Sequence, residues 1–204
     1  MQKSINQMAV GTTIRVSVDT LDERFVESLR EMYPHASLEI KVDRSPKQDL
    51  PSEQEMWALI QLLDWSKTGN SNEVIEPAVN ELARQPLHHI YEFQNWLSEK
   101  LFALDTRLHA EQTGENAYSP DEDSFFSPDE FLYARCAVVA NGKAFFEEVL
   151  MNPSAMPKDI AFEALLRIAR LAYRSKTGQE FRYIPTHNYE TFSNKPGWLK
   201  TDGK

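Results

Sequence analysis

Asp121, Glu122, Asp123, Asp129 and Glu130 crowd one stretch, "SPDEDSFFSPDEF" over residues 119–131, in which Ser-Pro-Asp-Glu occurs twice. Acids at such density offer two chemistries, divalent-cation binding and capture of a cationic partner. A calcium loop alternates its oxygen ligands and turns on a glycine, and this stretch has neither feature. The second copy has a simpler reading. Ser127 is a good N-cap, Pro128 suits the first helical position, Asp129 faces the positive helix end, and Glu130 closes a capping box. The first copy leads into no long periodic segment, so Asp121, Glu122 and Asp123 are expected in a solvated loop, available to a protein partner.

Other reactive residue types are scattered. His88 and His89 are consecutive, so on a helix they point about 100° apart and do not form the i, i+4 pair of a helical metal site. Cys136, between Arg135 and Ala137, reads as a buried small hydrophobe, because no base accompanies it. His35, His109 and His187 stand alone, and no HExxH, Walker loop, serine elbow or dinucleotide fingerprint is present. No catalytic residue, metal ligand or cofactor is expected. Arg167, Arg170 and Arg174 share a helix face at spacings of three and four, and with Arg135 they are the candidates for holding an anion. Trp57, Trp65 and Trp96 sit in helical pattern and are expected in the core, whereas Trp198 in "KPGWL" is a candidate partner anchor.

With 31 acids against 22 bases the chain carries a formal charge of −9, which opposes nucleic acid and favours a basic protein partner. One cysteine forms no intramolecular disulfide, and the opening "MQKSINQMAVG" has no apolar signal core, so the expected compartment is the cytoplasm. No run of 18 apolar residues occurs, which excludes a membrane-spanning helix.

The elements that must position these residues change period along the chain. Residues 1–11 are an unpatterned lead-in, expected to be mobile. Over 12–43, "TIRVSV" and "SLEIKV" alternate as strands around a helix carrying Phe25, Leu29 and Met32, which predicts a small βαβ unit. Two strands leave open edges, so a homodimer through the N-terminal strands is expected. Residues 44–52 read as a linker. Over 53–180 every periodic segment is helical: Met56, Ile60, Leu63; then Ile75, Val79, Leu82, with Pro77 tolerable in a first turn; then a seam of Ile90, Phe93, Leu97, Leu101, Leu104 and Leu108. The line Phe131, Ala134, Val138, Phe145, Val149 is interrupted at Asn141-Gly142, and a last helix stops at Gly178. Residues 181–204 are aromatic but unperiodic and are expected to dock on the helices. The fold class is therefore α+β: a small N-terminal βαβ unit followed by a mainly α-helical bundle.

On "EMWALIQLL", "HIYEFQNWLSEKL", "SPDEFLYARCAVVANGKAFFEEVLMNPSAMP" and "ALLRIARLAYRSKTG", residues from about 53 to 180 resemble the bacterial domain-of-unknown-function family 4240. The N-terminal unit is not assigned to a family. The resemblance implies a mostly helical domain without an established activity, and it supplies no active site.

Three functions are open on this basis. The first is a non-catalytic interaction module, immunity- or antitoxin-like, presenting acids and aromatics to a basic partner. The second is an enzyme with an anion-binding cleft between helices lined by Arg135, Arg167, Arg170 and Arg174. The third is a ribbon-helix-helix regulator with Thr13, Arg15 and Ser17 as its outward ribbon, which the acid excess disfavours.

Overall fold

The computed structural model of the chain describes Ile14, Val16 and residues 23–37, 50–120 and 125–199. The expectations for the lead-in, for the ribbon residues Thr13, Arg15 and Ser17, for the strand at 38–42 and for most of the linker lie outside the described residues. The chain divides into two compact units, Met1–Gln48 and Asp49–Lys204.

In the first unit the described element is helix α1 (Glu23–Met32), which buries none of its residues. The expected α+β class with its βαβ opening is corrected: among the described residues every regular element is helical. Ile14 and Val16, placed by alternation in the first strand, lie in no strand and are 45% and 41% exposed. The physical reason is that alternation marks a strand only where a paired strand also has a covered face, and a lone two-stranded ribbon covers no face and is marginal by itself. Among the described residues there is likewise no strand edge through which the expected N-terminal homodimer could form.

The second unit is a helical bundle. Helix α2 (Glu53–Ile60) begins at a complete capping box between Ser52 and Glu55, and buries Met56, Trp57, Leu59 and Ile60. Helix α3 (Ser71–Arg84) is capped by Asn70 and buries Val74, Ile75, Ala78, Val79 and Leu82. Helix α4 (Leu87–Ala103) carries the fully buried seam Ile90, Phe93, Leu97 and Leu101, with Leu104 just past its end. The seam stops there: Asp105 turns the chain, Thr106 caps the short α5 (Arg107–Ala110), and Leu108 is turned 54% to solvent. Trp65 also departs from expectation, lying 44% exposed on a 3-10 turn against Phe162.

Helix α6 (Pro128–Ala140) starts on Ser127, whose hydroxyl accepts from the Glu130 amide, and nine of its residues are buried, on every side. A helix covered all round is central, and α4, α7 (Lys143–Met151) and the 3-10 segment Glu163–Arg167 pack on it. Gly142, at φ 94°, makes the break between α6 and α7. The last helix, α8 (Ile168–Thr177), packs on α3 and α4 and ends at Gly178 in the left-handed region, φ 70°. Residues 181–199 then run back over the bundle and close with the short α9 (Lys195–Trp198).

Pro77 lies inside α3, beyond the first turn that its tolerance was expected to require. It removes the amide that would reach the Glu73 carbonyl, at a cost of about 3 kcal/mol. Ile75 and Leu82, both fully buried, each contribute about 1.5–3 kcal/mol, so packing carries the helix through the proline. Because Pro77 itself is exposed, Pro77→Ala is expected to raise stability by about 1–2 kcal/mol after allowance for the freer unfolded chain. A higher urea midpoint at unchanged slope checks this.

Candidate functional site

Helix α4 has two working faces. Beside the apolar seam, Tyr91, Asn95, Ser98, Phe102 and Asp105 recur at spacings of four, three, four and three, which aligns them on one stripe. That stripe receives residues 181–199. Phe181 stacks on Tyr91 at 6.0 Å and 13°, and the Tyr183 ring lies 4.8 Å from Tyr91. The Asn95 side-chain oxygen accepts from the Thr186 amide and from the Tyr183 hydroxyl, each at 3.1 Å. His187 packs on Phe102 at 5.3 Å, and the Asn194 side chain donates to the Phe102 carbonyl at 3.2 Å.

The stripe ends at a buried charge pair. Asp105 and Arg135 are both fully buried, with an oxygen of one 4.0 Å from a nitrogen of the other. Asp105 accepts from the Phe192 amide (3.2 Å), the Asn194 amide (2.9 Å) and the Trp198 indole (2.9 Å). Arg135 donates to the Leu101 carbonyl (2.8 Å), the Tyr189 carbonyl (3.0 Å) and the Thr191 hydroxyl (2.9 Å), and lies over the Phe131 ring at 4.7 Å. Burial pulls the Arg135 guanidinium down to about 10, with Asp105 resisting, so it remains charged at neutral pH. Phe192 sits at φ 72°, a strained region for an aromatic residue, held there by the hydrogen bond its backbone N–H donates to Asp105 and by its ring 4.4 Å from Trp198. Gly197 is required by closeness: a Cβ there would lie 2.8 Å from Thr106 Cγ2.

One turn away, His109 is buried between two partners. Its Nε2 faces the Val149 carbonyl at 3.1 Å, which only accepts, so the proton is on Nε2 and Nδ1 accepts from the Thr106 hydroxyl at 2.7 Å. Burial, with Arg135 adding repulsion, pushes the His109 imidazole below its ordinary value against the pull of the Val149 carbonyl. Burial also pushes the Cys136 thiol up to about 12, which leaves it an unreactive packing group.

The residues singled out by sequence are not brought together. Arg135 is enclosed, Arg167 is half-buried with its Nε lacking a partner, and Arg170 and Arg174 are exposed on α8. Asp121, Glu122 and Asp123 lie outside the described residues. Trp198 is half-buried, and packs against Tyr118, Phe126, Phe131 and Phe192. Sequence reasoning missed Asn95, Asp105, His109 and Thr191. The signal for the first two was the four-three spacing of polar residues along a helix already assigned one apolar face. Among the described residues no three His, Cys, Asp or Glu side chains converge as a metal site, and no helix is long and apolar enough to cross a membrane.

The geometry defines a helical-bundle domain strapped by its own C-terminal segment through a buried aspartate and arginine. The family model described as "Protein of unknown function (DUF4240)" matches residues 52–175, more than half of the chain, and the chain belongs to that family. No curated protein and no solved structure matches it.

Two outcomes follow from the site. Arg135→Met leaves the Asp105 carboxylate uncompensated and is expected to cost about 3–5 kcal/mol, with hydrogen-exchange protection lost first over residues 186–194. His109 is neutral in the fold and takes a proton more readily when unfolded. Stability is therefore fully present above the ordinary histidine value of 6.5 and is lost as pH falls from there through the lower folded value. Urea midpoints measured between about pH 7.5 and about pH 5.5 should fall, at no more than about 1.4 kcal/mol per pH unit, and His109→Gln should flatten that slope.

Proposed function

We propose that the protein is a non-catalytic interaction module of the immunity or antitoxin type, which binds a basic protein partner at its aromatic corner. The observation that carries this reading is an aromatic cluster with exposed apolar neighbours, next in sequence to a run of acids. Phe126, Phe192 and Trp198 form a ring cluster with centroid separations of 5.9, 4.4 and 6.3 Å, and it is flanked in the chain by Phe125 and Leu199, 72% and 70% exposed. In the sequence Asp121, Glu122 and Asp123 lie two to four residues before Phe125, and Asp129 and Glu130 are exposed on the first turn of α6. Aromatic anchors hold a partner, and carboxylates on the same chain speed encounter with a cationic cleft. The engagement of Arg135 inside the bundle removes one of the four guanidiniums from which the enzyme reading would build an anion site.

The test is site-specific photo-crosslinking in native cell extract, with a benzophenone side chain at position 125 and, as the control, at Ile184, which is 90% exposed on the outer side of the C-terminal segment. A single adduct at 125, absent at 184 and lost at about 0.5 M salt, where screening shortens to a few ångströms, is the expected result. Equal adducts at both positions, or none at 125, would overturn the proposal.

A further inference from the structure

The second face of α4 has an unusual composition for a buried surface. Gln94, Asn95, Ser98, Asp105 and the facing Arg135 are at least nine-tenths buried, where apolar residues would stabilise a bundle more simply. The partners of Asn95, Asp105 and Arg135 explain three of them, while the Ser98 hydroxyl donates back to the Asn95 carbonyl within α4. Asn95 binds the amide of 186, Asp105 the amides of 192 and 194, and Arg135 the carbonyl of 189. All four contacts are from a side chain of the bundle to the main chain of one extended segment, while alternate side chains of that segment point inward: Phe181, Tyr183, Pro185, His187 and Tyr189 are half-buried and the residues between them exposed. Main-chain hydrogen bonds for affinity and alternate side chains for register are how a groove recognises an extended peptide. The face along α4 is a peptide groove filled in cis.

From this we infer that the same groove accepts the segment 181–199 of a second copy of the chain, giving a strap-exchanged dimer. The hinge is suited to it. Gly178, Gln179 and Glu180 are exposed, and the reversal that sends the segment back over its own bundle depends on the left-handed conformation of Gly178 at φ 70°. A Cβ at Gly178 would meet nothing within 4 Å, so a substitution there acts on the backbone alone. With a residue that disfavours the left-handed region, α8 continues outward, its own groove empties, and every contact described above re-forms with the neighbouring copy. The inference stands apart from the partner-binding proposal, since it rests on Asn95, Asp105 and Gly178 and requires no acid at 121–123.

The experiment uses the full chain. Gly178→Val is expected to raise the dimerisation constant at least about tenfold, with light-scattering mass moving from 23.5 kDa towards twice that value. Adding Asn95→Ala to it should return the mass to monomer, whereas Phe125→Ala should not. In parallel, a fluorescein-labelled peptide of residues 179–199 incubated with the wild-type chain should load into the groove, slowly because the resident strap must open, and should be chased off by excess unlabelled peptide. A Gly178→Val chain that stays monomeric, or dimerises regardless of Asn95, overturns the inference. If that variant fails to fold, peptide loading decides alone, and no anisotropy change at saturating wild-type chain overturns it equally.

Discussion

Two full charges at zero exposure constrain this domain more than any apolar contact in it. Removing a carboxylate and a guanidinium from water costs several kcal/mol each, and their own approach, at 4.0 Å, is too long to be a hydrogen bond. The remainder is supplied by groups that have no fixed place of their own: amides 192 and 194, the Trp198 indole, the Tyr189 carbonyl and the Thr191 hydroxyl. The C-terminal segment is therefore part of the core's electrostatic closure, and its position follows from that requirement. The strained backbone of Phe192 and the missing Cβ of Gly197 are local results of bringing main chain close enough to serve a buried carboxylate.

This closure also accounts for the two helices whose faces are hardest to read. α6 holds Arg135 among Ala134, Cys136 and Val138, because the bundle surrounds the helix on one side and the returning segment lies on the other. α4 has the leucine seam against the bundle and the Asn95–Asp105 stripe under the segment. Aromatic stacking of Phe181 and Tyr183 on Tyr91 offsets part of the ordering entropy of the extended chain, which is about 1–2 kcal/mol per residue. The charge pair then sets which main-chain atoms arrive where.

Much of the bundle is legible without coordinates because helix ends and apolar spacing are local. Ser52 with Glu55, Ser127 ahead of Pro128, the break at Asn141-Gly142 and the stop at Gly178 all lie where short-range chemistry puts them. What resists reading is what depends on distant partners. Pro77 looks like a helix boundary until the buried stripe across it is weighed, and Leu108 looks like a seam residue until Asp105 turns the chain. Alternation at Ile14 and Val16 suggests a strand, yet alternation also occurs in the returning segment, where Phe181, Tyr183, Pro185, His187 and Tyr189 face inward without any ladder. Ile184, apolar yet 90% exposed, hides that second pattern from a reader of hydrophobicity. Arg135 shows the limit most clearly: its type suggests a ligand-holding group, and only the partners contributed from 189 and 191 reveal it as a clasp.

Because Asn95, Asp105 and Arg135 grip the returning segment largely by its main chain, the identities of its outward residues are nearly irrelevant to docking. Arg182, Ile184, Asn188 and Glu190 occupy a platform whose position is guaranteed by atoms every amino acid except proline shares. That stretch is open to sequence drift at little cost in stability, in the manner of an address label on a fixed envelope, so chains built on this bundle could diverge there first while keeping the same interior.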